Sequence, residues 1–178
     1  MKPKQIIRLI TCTIVGVIWI FIGQNILLLN VLGGLVSGGG MDLSLYLASA
    51  SSPSFQALWF TSVAVTLIWL LTTTKKSPVN SAEVREMKPT WWMCATVLVL
   101  LGWFYQLLFT VLIWQFSGTT PVEGLDTNYF PVPPGGWATL LLLVLFDVGL
   151  LFWLPTMLGS PKSYRLVVPG ALKFLGGR

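Results

Sequence analysis

Long apolar runs, rather than alternating or amphipathic patterns, organise this sequence. Four of them reach the roughly 20 mainly apolar residues needed to cross about 30 Å of hydrocarbon, over about 5–31, 55–73, 91–116 and 137–158. Their edges carry punctuation. Ser52-Pro53 sets an N-capping residue before a proline suited to the first helical position, and Thr90, just after Pro89, is placed to cap the third helix. Pro133-Pro134-Gly135-Gly136 breaks the chain before the fourth run, and Gly159-Ser160-Pro161 closes it. The pattern predicts an all-α integral membrane protein, a four-transmembrane-helix bundle. Residues 1–178 form a single membrane domain, with 159–178 as a basic, partly apolar tail.

Composition sharpens that picture. Of the 178 residues, 54% are hydrophobic and 10% charged, against about 25% charged in an average soluble domain. So few charges cannot cover a water-facing surface, and so apolar a chain is not disordered.

Charge then sets orientation. All eleven Lys and Arg fall on one side of the four runs: at the N-terminus, in the loop after the second helix, and in the tail. The opposite loops, 32–54 and 117–136, hold only Asp42, Glu123 and Asp126 as charged residues. By the positive-inside rule both termini face the cytoplasm, or the stromal side of an internal membrane. The basic start and first apolar run resemble a signal peptide, but the run exceeds the roughly 7–15 residues of such a segment. A retained helix is expected. The location is multi-pass integral membrane, either a bacterial inner membrane or a thylakoid-like internal one.

Several kinds of chemistry lose their equipment. The chain has no histidine, the commonest metal ligand and the usual general base. Cys12 and Cys94 form no CxxC pair, and no GxGxxG or GxxxxGK[ST] loop occurs. No catalytic residue, metal ligand or cofactor is predicted, although a bound lipid, pigment or quinone is compatible with the sequence. Too few basic and interleaved aromatic residues are present for nucleic acid.

Aromatic residues fit the membrane frame. Trp91, Trp92 and Trp153 suit the inner interface, and Trp59, Trp114, Trp137 and Tyr129 the outer one, since an indole joins an apolar body to a polar edge. Trp91, Trp92, Trp137 and Trp153 are the expected interface anchors. Gly34 and Gly38 have close-packing spacing, but at the end of a span they read better as a flexible turn. A short helical turn capped by Asp42 is expected beyond them. In the tail, basic residues interrupt apolar runs, which fits either a segment lying on anionic lipid or a solvated one.

Asp147 stands out. It lies midway along the fourth run, where a charged side chain costs about 2.5–3.5 kcal/mol on insertion scales. No basic residue shares its depth. It must be protonated, hydrogen-bonded, or paired with something outside the chain. Gln24 and Asn25 on the first helix, and Tyr105 and Gln106 on the third, lie at compatible depths, so an intramembrane polar network joining them to Asp147 is the simplest arrangement. Gly102 and Gly149 would let helices approach near this layer.

Poorly charged outer loops, an intramembrane carboxylate without an internal cation and no catalytic constellation point to a non-catalytic accessory or assembly subunit of a larger membrane complex. Its partners would be other integral membrane subunits and membrane lipids, anionic ones at the basic tail. The alternative is a small oligomeric transporter or channel using Asp147 as a proton or cation site.

Overall fold

The four apolar runs become helices in the computed structural model, which describes residues 3–28, 30, 51–75, 81–117, 134–164 and 166–171. Helix α1 (Pro3–Ile18) enters a π-helical turn (Trp19–Gly23) and resumes as α-helix through Leu28. Helices α2 (Ser52–Lys75), α3 (Ser81–Ser117) and α4 (Pro134–Val148) follow. A second π-helical turn, Gly149–Trp153, joins α4 to α5 (Leu154–Gly159), and a 3-10 turn covers Lys162–Tyr164. No strand occurs among the described residues. Among the described residues, four helical stretches are long and apolar enough to cross a membrane: Ile10–Leu28, Ser52–Thr74, Ala82–Leu112 and Gly136–Gly159.

Two helix starts differ from the sequence reading. Helix α3 begins at Ser81, not after Pro89, and runs through that proline. Proline removes one backbone donor and frees the carbonyl of Arg85, four residues back. Both Arg85 and Pro89 are exposed, so water can satisfy the carbonyl and the helix continues. At 37 residues, α3 is about 55 Å long and outreaches the hydrocarbon, its exposed Glu83, Arg85, Glu86 and Lys88 lying on the projecting part. Helix α4 starts at Pro134, three residues before Trp137, because proline's fixed φ suits a first helical position. The fourth span stops as its sequence implies, with Ser160 extended (φ −64°, ψ 142°) and its N–H bonded to the Thr156 carbonyl.

Over an 18-residue apolar stretch of each span, 17% and 22% of residues are buried in the first and third, against 33% and 39% in the second and fourth. Helix α2 and the fourth span therefore form the middle of the bundle, flanked by α1 and α3. Helix α2 packs against α3, both π turns and α5, while α1 packs against the second π turn and α5. Gly102 sets the approach of α3, since a Cβ there would lie 2.5 Å from Val144 Cγ1 and 3.1 Å from a Leu58 methyl. Gly16 does the same for α1, where a Cβ would sit 2.6 Å from Leu151 Cδ2. Gly149 meets nothing within 4 Å, so the close approach expected there is absent.

Polarity is arranged as a lipid solvent demands. Gln24, Ser62, Thr66, Gln106, Thr110, Asp147 and Thr156 are buried, while Ile22, Phe60, Ile68 and Leu142 stand exposed. The tail folds back through Ala171. Tyr164, Val167, Val168 and Ala171 join the buried core, and the Trp153 indole donates to the Pro169 carbonyl at 2.8 Å. Gly170 makes the turn with φ 81°, in the left-handed region that glycine enters freely. The expected Gly34–Gly38 turn, the turn at Asp42, residues 31–50 and 118–133 of the outer loops, and 172–178 lie outside the described residues.

Candidate functional site

Asp147 lies one residue before the end of α4 and has no exposed surface. Its carboxylate accepts two hydrogen bonds, both from the first span. The Trp19 indole N–H donates to Oδ1 at 2.8 Å, and the Gln24 amide donates to Oδ2 at 3.1 Å. Trp19 is held in place by an edge contact with Phe146, ring centroids 5.3 Å apart.

The first π turn makes this pairing geometrically natural. In an α-helix of about 3.6 residues per turn, positions five apart point roughly 140° away from each other. The Gln24 backbone N–H instead bonds the Trp19 carbonyl, an i→i+5 closure that brings residues five apart close to one face. Trp19 and Gln24 can then reach one carboxylate together. The second π turn starts two residues after Asp147, closed by the Leu154 N–H on the Gly149 carbonyl. Asp147 thus sits between two interruptions of regular helix.

Chemically, two N–H donors suit a carboxylate. Gln24 Oε1 is buried without a partner, and rotating the amide by 180° would present that acceptor to a protonated carboxyl group instead. The same side chains can therefore hold either form. Among the described residues no Lys or Arg is a partner of Asp147, and no three potential metal-ligating His, Cys, Asp or Glu side chains come together.

The expected network divides. Gln24 reaches Asp147, but Asn25 turns away and donates to the Phe21 carbonyl of its own helix at 3.1 Å. Tyr105 pairs with Thr61 on α2 at 3.3 Å. Gln106 is buried with neither amide atom partnered. Trp19, which the sequence reading missed, takes the place given to residues of α3. Its signal was present only as an indole N–H, a donor with no accepting counterpart, at the depth of the acid.

The second π turn carries its own cross-link. Pro155 has no N–H, which leaves the Leu151 carbonyl, four residues earlier, without its α-helical donor. Thr66 on α2 donates to that carbonyl at 3.1 Å. Thr66, Leu151 and Pro155 also line a cavity of about 260 Å³ between the first, second and fourth spans.

Tryptophans serve as interior donors elsewhere too. Trp91 is buried, stacks on Phe152 at 5.4 Å and donates to Thr156 Oγ1 at 3.1 Å, so it joins helices rather than facing lipid as expected. Trp69 donates to Ser160 Oγ at 3.2 Å. Trp92 is half exposed and Trp137 packs partly buried against the core, while Trp153 straddles the surface and the tail. Cys12 and Cys94 are free, half-buried thiols. No protein-family model, curated protein or solved structure matches the chain.

Proposed function

We propose that this chain is a non-catalytic accessory or assembly subunit of a larger membrane complex, packing against other integral membrane subunits through its helices and outer loops. The observation that carries this reading is how the intramembrane acid is used. Asp147 is enclosed and bonded to Trp19 and Gln24, so it fastens the first span to the fourth instead of lining a pathway. What the bundle presents outward is apolar, with Phe60, Ile68 and Leu142 all at least 64% exposed, a surface suited to neighbouring helices as well as lipid. Both termini lie on the cytoplasmic or stromal side by the distribution of Lys and Arg. The membrane is a bacterial inner membrane or a thylakoid-like one. In vesicles containing the purified chain, no proton or cation flux is expected, and Asp147→Asn should lower the abundance of the assembled complex in cells. Flux that vanishes in Asp147→Asn contradicts the subunit role.

One observation favours a second reading, a small oligomeric transporter or channel with Asp147 as its proton or cation site. Two π turns flank the acid, and such turns recur at functional sites. The flux measurement separates the two readings.

A further inference from the structure

We infer that the cavity between the first span, α2 and the fourth span is a site for one acyl chain of an anionic glycerolipid. Its walls are Ile10 and Ile14 from α1, Val63 and Leu67 from α2, and Leu151 and Pro155 from the fourth span. Ile10, Ile14 and Leu67 are each 43–54% exposed, so the cavity is a groove reachable from the bundle's outer surface. Its volume of about 260 Å³ exceeds the roughly 150 Å³ of an apolar cavity that takes up benzene. Of the two hydroxyls lining it, those of Thr13 and Thr66, the Thr66 hydroxyl is already used by the Leu151 carbonyl, and the rest of the lining is apolar apart from the Cys12 thiol. A hydrocarbon chain therefore fits better than a polar ligand.

Charge selects the headgroup. The groove lies in the half of the bundle nearest the basic residues. Arg8 and Lys4 precede Ile10 on α1, at about 3 and 9 Å along its axis, and Lys75 ends α2 about 12 Å beyond Leu67. A chain seated in the groove would place its headgroup at the level of these three positions, where cationic side chains attract anionic lipid. The inference is independent of the subunit proposal.

The test is photolabelling of the full chain in phosphatidylcholine vesicles containing a small share of phosphatidylglycerol with a diazirine on its acyl chain. Label is expected to concentrate on residues 10–14 and 63–67, and unlabelled phosphatidylglycerol should compete it away where phosphatidylcholine does not. Leu67→Trp fills the groove and should remove the focal label, while Leu142→Trp, outside the groove, should leave it. Replacing Lys4 or Arg8 with Gln should weaken the preference for the anionic lipid by about fivefold for each residue that reaches the headgroup. If Leu67→Trp does not fold, the competition on the unaltered chain decides. Even labelling around all four spans, equal competition by phosphatidylcholine, or protection of the groove by a second copy of the chain would each overturn the assignment.

Discussion

The Trp19 indole and the Asp147 carboxylate, 128 residues apart, meet at 2.8 Å inside the bundle. With Gln24 on the other oxygen, this contact ties a lightly buried flanking helix to the central fourth span. Hydrogen bonds between membrane helices average about 0.6 kcal/mol and reach about 1.7 kcal/mol, while a buried acceptor left unsatisfied costs about 1–3 kcal/mol. Trp19→Phe keeps an aromatic ring beside Phe146 while deleting the donor and part of the indole's bulk. It should lower stability by about 1–2 kcal/mol in reversible micellar unfolding. Combined with Asp147→Asn, its effect should be clearly less than additive; strict additivity would mean the two side chains are not coupled.

Gln106 predicts the opposite sign. Both of its amide atoms are buried without a partner, so replacement by an apolar side chain of similar size removes an unmet desolvation penalty. Gln106→Leu should raise stability by about 1 kcal/mol, whereas Gln24→Leu should lower it. Loss of stability on Gln106→Leu would reveal a bonded water or ligand at that amide.

Glycine substitutions should rank by what a methyl group would meet. Gly102→Ala presses on Val144 and Leu58 and should cost about 1–3 kcal/mol. Gly16→Ala meets only the movable end of the Leu151 side chain as a close contact and should cost less. Gly149→Ala, with open space around it, should be neutral or slightly stabilising. Equal losses at all three, read from thermal unfolding in detergent, would refute this packing order.

At the second π turn, Thr66→Val removes the donor to the Leu151 carbonyl and should destabilise by about 1 kcal/mol. Pro155→Ala supplies a backbone N–H in the same region, so the loss on Thr66→Val should shrink in that background. An undiminished loss would show that Thr66 acts through packing alone.

Hydropathy carried the four spans because each apolar run is longer than any soluble helix core requires. It could not carry the interruptions. Nothing in Trp19–Gly23 or Gly149–Trp153 departs from an apolar run, yet the π closure decides that Trp19 and Gln24 share a face while Asn25 leaves it. Depth made Asp147 and Gln24 legible as partners, but depth alone also admitted Gln106 and Tyr105, since rotation about each helix axis is set by packing. Pro89 read as a boundary because the sequence does not show that Arg85 and its neighbours stand in the open. Trp91 read as an anchor because an indole at a span end looks the same whether it meets lipid or Thr156.

The subunit role is tested most directly by the mass of the particle that carries this chain, measured after gentle solubilisation through a C-terminal tag. The proposal predicts a stoichiometric assembly with other integral membrane subunits, reduced in amount by Asp147→Asn. A lone chain or a homo-oligomer of it contradicts the proposal and turns attention to ion flux through Asp147.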